Sequence, residues 1–370
     1  MKVVLLSFHV FTSERRAGFH FIAEEMARRE NDVYFITVGV SPLSLVRNAD
    51  HHADALAHGI NHWRCVETSN VNSYVLYTPY HPVNLRNRLL NQLTETVFYN
   101  YGQCVQRLRS VVDNANVVIF ESALGLLFIP WLEKKPHAKW IYRVSDDLPF
   151  LKPHPVMIDA ECEALKLDLF DLVSCPSEPI FTRLQQFSRR VRLQQHGIDM
   201  SSYDACHTSP YKGQSDFVRA NAVFVGMSHV DVQALEIMAK QNPDVLFHLI
   251  GKIKFSNNLN NVMVYGVLPF SDTVPFVKYA DVGLQTRISK GDSGLRHSLK
   301  VQQYTYVGLP IVGPQSLDTG WGNYFGFPDE YSEDDVSGAL RKALMSGRND
   351  SARTHVRSWA DLVNDMHNCL

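Results

Sequence analysis

Cysteine is sparse and unpatterned in this 370-residue chain. Its six cysteines, Cys65, Cys104, Cys162, Cys175, Cys206 and Cys369, form no CxxC pair and no Cys/His spacing that suits zinc, which points to a reduced compartment rather than a disulfide framework. A basic surplus is missing too. With a formal net charge of -2 and a pI near 6.8, the chain lacks the positive charge that phosphate neutralisation by a dedicated nucleic-acid binder requires. Long hydrophobic runs are also absent. The most apolar later stretch, Val117 to Leu132, contains Glu121 and Pro130 and is too short to cross a bilayer, so no transmembrane helix is expected. At the start, Met1 to Phe11 is interrupted by His9 and runs into Ser13-Glu14-Arg15-Arg16 without a small-residue cleavage site, so it reads as a buried strand and not as a signal peptide. No G-x-G-x-x-G follows that strand, where His9-Val10-Phe11 stands instead, and no P-loop occurs anywhere.

What is present is the composition of a globular α/β protein, with 45% hydrophobic and 20% charged residues. The length favours two domains. Short apolar runs alternate with amphipathic segments, the pattern of parallel strands joined by helices. Strands are expected at Val3–Ser7, Asp32–Thr37, Tyr74–Tyr77, Val117–Phe120, Trp140–Val144 and Leu172–Cys175. A second series follows at Ala222–Val225, Val245–Ile250, Val262–Tyr265, Val282–Leu284 and Pro310–Val312, with helices near Asp231–Lys240 and Asp272–Tyr279. The polar stretch Ser201 to Asp216 between the two series is read as a linker. The chain thus divides into two Rossmann-like domains facing a cleft, 1–200 and 201–350, and a tail, 351–370.

Two segments carry candidate chemistry. After the first strand come His9, Arg15, Arg16 and His20, at the edge where open α/β sheets present ligand groups; a solvated basic turn is the alternative. The other segment is Ser298 to Pro310. It reads as a short helix capped by Ser298 and ended by Gly308 and Pro310, which puts Lys300 in the first turn. Unpaired backbone N–H groups, the positive end of the helix dipole and an ammonium group then point together at an anion such as a phosphate, with Gln303 on the same face. A surface helix with a solvated lysine is the competing reading.

Several blocks, in their common order and spacing, carry a resemblance. They are His9 with Arg15-Arg16-Ala17 and His20-Phe21-Ile22; His81-Pro82 with Asn84 and Arg86; Val118-Ile119-Phe120-Glu121-Ser122; Tyr142-Arg143 with Ser145-Asp146; and His196-Gly197 with Asp199. Further on come Val225-Gly226, Phe247-His248 with Ile250-Gly251, Val264-Tyr265-Gly266, Lys300 with Gln303-Tyr304, and Gly308-Leu309-Pro310. From the first strand almost to the C-terminus the chain resembles the xanthan glucuronosyltransferase family of GT-B glycosyltransferases.

The resemblance implies a first domain that receives the acceptor, a second that binds a nucleotide-sugar donor, and a C-terminal helix returning to the first, for which Ser358-Trp359 and Ala360–Met366 are the candidate. It places the catalytic base at Asp146, where a carboxylate at the sheet's carboxyl edge takes a proton from the attacking hydroxyl as the sugar centre inverts. Asp147 stands where the family pattern has glycine, which leaves two adjacent carboxylates in view and adds Asp147 to the acceptor side. Lys300, Gln303, Gly226, Met227 and Ser228 fall to the donor. Because no D-x-D follows a strand in the second half, the fixed charge of Lys300 is expected to stabilise the leaving diphosphate without a metal, and no cofactor is implied. Arg287 replaces an aromatic residue of the family pattern, and either pairs with the diphosphate or a donor carboxylate or is a solvated charge.

The segment Asn84 to Val112 mixes leucines and aromatics with Arg86, Arg88, Arg107 and Arg109; it reads as a basic amphipathic helix that docks on anionic lipid or packs on the sheet. The expected activity is transfer of a sugar, glucuronate foremost, from a UDP-sugar to a polyprenyl-diphosphate-linked oligosaccharide in bacterial polysaccharide assembly, at the inner face of the cell membrane. The alternatives are the same mechanism with a neutral hexose donor, and a non-catalytic sugar-nucleotide-binding protein.

Overall fold

A computed structural model describes residues 1–211, 220–226, 230–256, 258–286 and 296–370. Contacts divide the chain into two compact units, Met1–Gln195 together with Trp359–Leu370, and His196–Ser358.

The first unit is built on an eight-stranded sheet. Its strands are β1 (Lys2–Ser7), β2 (Asp32–Val40), β3 (Trp63–Val66), β4 (Val71–Tyr77), β5 (Val117–Glu121), β6 (Lys139–Arg143), β7 (Leu172–Cys175) and β8 (Val191–Leu193). The order is β3-β4-β2-β1-β5-β6-β7-β8, parallel throughout except that β3 runs antiparallel to β4. Both faces are covered, so strands such as Val3-Val4-Leu5-Leu6 are continuously apolar and fully buried. The chain winds outward from β1 through β2 and β4, then returns to lay β5 on β1's other side. Loops leaving β1 and β5 therefore diverge and open a crevice at their carboxyl ends.

The long apolar stretch resolves into β5 and a 3-10 helix, Leu124–Trp131, that contains Pro130 and drives Leu126 and Phe128 into the core. The basic amphipathic segment is not one helix. It comprises helix Arg88–Gln103, a 3-10 turn Cys104–Leu108 and a short helix Arg109–Asp113, bent so that Val105, Leu108 and Val112 stay buried. The C-terminal helix Trp359–Asn368 packs on helix Gly18–Arg28: Trp359 stacks on Phe21 at 5.4 Å, and Arg29 donates to Asn364 and to the carbonyl of Ala360.

The second unit opens with β9 (Gly197–Ile198) and contains β10 (Ala220–Val225), β11 (Val245–Ile250), β12 (Val262–Gly266), β13 (Val282–Leu284), β14 (Ile311–Pro314), β15 (Tyr324–Phe327) and β16 (Arg357–Ser358). β9 and β16 pair with each other, and the other six form a parallel sheet in the order β12-β11-β10-β13-β14-β15. This is a doubly wound order, with its switch point between β10 and β13. The stretch read as a linker begins inside a helix, Met200–Ala205, whose cap Asp199 accepts from the Ser202 amide and whose Tyr203 is buried; its residues 212–216 lie outside the described ones.

At the switch point two strand ends touch through glycine. The Gly226 amide bonds the Ile250 carbonyl, and a Cβ on Gly251, whose φ is +136°, would lie 1.7 Å from the Gly226 oxygen. Gly251→Ala therefore combines a backbone clash with a conformation that L-residues avoid, and should lower stability by more than about 2 kcal/mol in chemical denaturation. Gly266→Ala has φ +73° but open space around the new Cβ, and should cost only about 1–2 kcal/mol. Equal losses would show that the Gly226–Gly251 approach is not tight.

Candidate active site

In the first unit, the ends of β1, β5 and β6 meet on one carboxylate. Glu121, the last residue of β5, is buried, and its Oε2 accepts from Ser7 Oγ at 2.5 Å and from the Phe8 amide at 3.1 Å. Its Oε1 accepts from Ser145 Oγ at 2.8 Å, on the turn that follows β6. Next to it, Ser122 Oγ accepts from the amides of Ser145 and Asp146 at 3.1 and 3.3 Å. Burial raises the Glu121 carboxyl above its ordinary range, against the opposing pull of its hydrogen bonds from Ser7, Ser145 and the Phe8 amide. Ala123, immediately after this pair, is held at φ +82°, a strained conformation for a residue with a Cβ.

The two adjacent aspartates separate in this setting. Asp146 is exposed on the turn, whereas Asp147 lies 2.7 Å from Arg183 Nε, held by charge and not by an aligned hydrogen bond. The same guanidinium donates to the fully buried Glu161 at 2.7 Å, and Glu161 also accepts from Tyr142 Oη at 2.6 Å. Asp147 is thus tied, through the half-buried Arg183, to the buried Glu161.

The basic loop after β1 resolves into different tasks. His9 sits with Nε2 3.8 Å from Glu121, and burial, helped by the Arg15 guanidinium, lowers its pKa to about 4. It is a neutral ring at pH 7. His20 faces inward: Nδ1 accepts from the Ala17 amide at 3.0 Å, and Nε2–H donates to the Val10 carbonyl at 3.0 Å. It serves as the N-terminal cap of its helix and is fully buried, with a pKa pushed down to about 3 chiefly by burial. Arg16 pairs with Glu24 at 2.5 Å and lies over the Phe21 ring, while Arg15 is exposed.

A cavity of about 410 Å³ adjoins this edge, lined by Phe8, Arg47, His51, His81, Asn84 and His154 among others. The Phe8 ring stacks on His51 at 4.4 Å. Phe8 therefore joins the cavity, through its side chain, to Glu121, through its amide.

In the second unit, helix Leu299–Tyr306 is positioned by Tyr304. Its hydroxyl takes the Val225 amide and donates to the Val223 carbonyl, and its ring fills the space that a Cβ on Gly283 would occupy. Lys300, one turn earlier, consequently lies with Nζ 4.1 Å above the Phe224 ring, and a Cβ on Gly226 would come within 2.8 Å of that ammonium. Gly226 is small because the lysine needs the room. Ser298 occupies the N-cap position, as expected, but its hydroxyl makes no capping bond. Ser298 Oγ, Thr286 Oγ1 and Gln302 Oε1 are buried polar atoms without a hydrogen-bond partner among the described residues. The first-turn N–H groups of this helix are accordingly not taken up by a side-chain cap, beside a lysine and at the end of β13. Gln303 is half-buried on the same helix. Met227, Ser228 and Arg287 lie outside the described residues. No three His, Cys, Asp or Glu side chains converge as metal ligands among the described residues.

Sequence reasoning overlooked Glu121, Ser122 and Tyr304 as functional positions. A signal for Glu121 existed, since a carboxylate that ends a fully apolar strand must be stabilised by something at the sheet edge.

Solved structures align with this chain over its whole length. Sucrose-phosphate synthase from Thermosynechococcus elongatus aligns with a TM-score of 0.69 over 100% of this chain and 98% of its own, at 11% identity. Anabaena HepE, solved with UDP and glucose, aligns with a TM-score of 0.61 over 100% and 98%, at 13% identity. The fold is GT-B, a glycosyltransferase architecture. Residues 5–176 match the model of the glucuronosyltransferase GumK N-terminal domain. The UDP-glucuronate:glycolipid 2-beta-glucuronosyltransferase of Xanthomonas campestris pv. campestris is 28% identical over 358 residues, 93% of this chain and 84% of that protein. The chain is thus similar to GumK glucuronosyltransferases, in its first half by that model and over most of its length by the Xanthomonas protein.

The half-buried His9 and the fully buried His20 both have pKa values pushed below the ordinary 6.5, chiefly by loss of solvent, so the fold disfavours their protonation. Their stabilisation is whole above about pH 6.5 and is lost as pH falls towards 3–4. His20→Leu should lower the melting temperature at about pH 7.5, by removing the acceptor of the Ala17 amide and with it a cap worth about 1 kcal/mol, yet flatten the decline between about pH 7.5 and about pH 4.5. Parallel melting curves for mutant and wild type across that range would remove His20 from the acid response.

Proposed function

We propose that this glycosyltransferase moves a sugar, glucuronate in particular, from a UDP-sugar to a polyprenyl-diphosphate-linked oligosaccharide in bacterial polysaccharide assembly, with inversion and without a metal ion. Asp146 takes the proton from an acceptor hydroxyl as its oxygen bonds to the anomeric carbon. The bond from that carbon to the β-phosphate oxygen breaks, and UDP departs towards Lys300 and the open N–H groups of its helix, whose fixed charges take the place of a cation. The observation that carries this reading is the division between neighbouring carboxylates: Asp147 is bound by Arg183, while Asp146 is exposed on the turn after β6, whose amides are held by Ser122 at the end of β5. The Xanthomonas relative, named for UDP-glucuronate and a glycolipid acceptor, supports the donor and the acceptor class. The first unit would receive the acceptor on the side of His9, Arg15 and Asp147. The second would hold the donor with Lys300, Gln303, Gly226, Met227, Ser228 and Arg287.

In single-turnover transfer from UDP-glucuronate, Asp146→Asn should lower the rate by at least about a hundredfold and leave UDP affinity nearly intact. Asp147→Asn should do much less. A reversed order would move the base to Asp147. Lys300→Ala should weaken UDP binding by about tenfold or more in calorimetry, and EDTA should leave the rate largely unaltered. Unchanged UDP affinity, or inhibition by EDTA that magnesium restores, would overturn the fixed-charge account. Faster transfer from a neutral UDP-hexose would replace the donor.

Peripheral attachment to the inner face of the membrane is part of the proposal. No helix among the described residues is long and apolar enough to cross a bilayer. Helix Arg88–Gln103 nevertheless turns Phe98 and Tyr101 inward and leaves Leu89 and Leu93 more than 70% exposed, with Arg86 and Arg88 beside them. Such a face suits anionic lipid better than water. Arg109, by contrast, is engaged by Asp113 and Glu133. Vesicles containing phosphatidylglycerol should sediment the protein in a salt-sensitive way, each arginine near the surface contributing about 1 kcal/mol. Leu89→Ser with Leu93→Ser should release it with UDP affinity unchanged. Undiminished sedimentation of that variant would assign attachment to another surface.

A further inference from the structure

Glu121 stands out from the other buried charges of the first unit because its two oxygens answer to different strands. Oε2 takes the Ser7 hydroxyl and the Phe8 amide at the end of β1, and Oε1 takes the Ser145 hydroxyl on the turn after β6. Its neighbour Ser122 takes the two amides that lead into Asp146. A carboxylate is costly to bury, and the donors from Ser7 and Phe8 alone could be met by the single oxygen of an amide of the same shape. What the amide cannot do is accept on both sides at once. Only a carboxylate ties β1 to the turn after β6 with every proton pointing inward. We propose that Glu121 is a positioning residue for the transfer reaction: with Ser122, it locks the Ser145–Asp146 turn at the height and angle at which the Asp146 carboxylate meets the acceptor hydroxyl.

The inference rests on the reading of Asp146 as the base. Its physical content is that a general base contributes only when held within hydrogen-bond reach of the proton it removes, and a displacement of about 1 Å is enough to cost about a hundredfold in rate. Glu121 makes no contact with substrate in this account and acts only through the turn. Glu121→Gln keeps the volume and the Oε2-side contacts but presents an N–H to Ser145, whose hydroxyl must then reverse. The turn is loosened on one side only. Ser145→Ala removes the same bond from the other partner without altering the buried carboxylate's contacts to β1.

The test is a mutant cycle read by single-turnover transfer and by saturation with UDP-glucuronate, each rate normalised to the fraction of folded enzyme from its melting curve. Glu121→Gln and Ser145→Ala should each lower kcat by about tenfold, with KM for the donor and the Kd for UDP unchanged. In the Asp146→Asn background, the same substitutions should lower the residual rate by less than about twofold, because a base that is gone cannot be mispositioned. Normal rates in both single variants would overturn the inference, and so would a full further loss in the Asp146→Asn background, since either result means that Glu121 does not act through Asp146. Full activity of Asp146→Asn itself would overturn the base assignment and the inference with it. Loss there with Glu121→Gln unaffected would overturn the inference alone.

Discussion

A carboxylate shut away from water can be tolerated only while its hydrogen-bond donors stay in place, and Glu121 imposes that condition on three strand ends together. The ends of β1, β5 and β6 cannot drift apart without leaving one of its oxygens unpaired. The loops that leave this edge inherit its rigidity. His9 lies two residues beyond Ser7 and Asp146 one beyond Ser145, so these candidate side chains sit one or two residues from a fixed point. This is how a parallel sheet offers precise geometry from loops that are themselves irregular.

The second unit solves a different problem by different means. In the proposed reading a leaving diphosphate needs positive charge near a surface that the backbone can approach, and that charge is a lysine resting on the Phe224 ring beside Gly226. The approach of Gly251 to the Gly226 carbonyl leaves no room for side chains at the ends of β10 and β11. Tyr304 then fixes the helix that carries Lys300 by bonding to the backbone of β10 itself. Rigid placement of one charge, together with N–H groups left uncapped, provides an anion site with little rearrangement required.

Most of the sheet was legible in the sequence because strands covered on both faces must be apolar throughout. Leu172–Cys175, Val245–Ile250 and Val282–Leu284 were located to the residue for that reason. The strands that escaped notice have no such signature: β3 is an edge strand with Arg64 and Cys65 exposed, β8 has only three residues, and β15 is the aromatic-glycine run Tyr-Phe-Gly-Phe. The start of the helix that carries Lys300 was legible from the serine before it and the glycine and proline after it. The candidate site was opaque where roles depend on distant partners. Nothing near Asp147 in sequence announces Arg183, and nothing near His20 announces the Val10 carbonyl that turns it inward. A serine before a helix likewise predicts its position and not whether its hydroxyl is used, as Ser298 demonstrates.

The helix Trp359–Asn368 belongs to the unit that begins at Met1, with Trp359, Leu362, Val363 and Met366 buried there. As the polypeptide emerges from the ribosome, the eight-stranded sheet is complete once β8 has appeared, yet the surface over helix Gly18–Arg28 stays uncovered while more than a hundred and fifty further residues, Gln195 to Ser358, are synthesised. The half that is made first is therefore finished last. Until the last helix docks, that half carries an open apolar seam where Trp359, Leu362, Val363 and Met366 will pack.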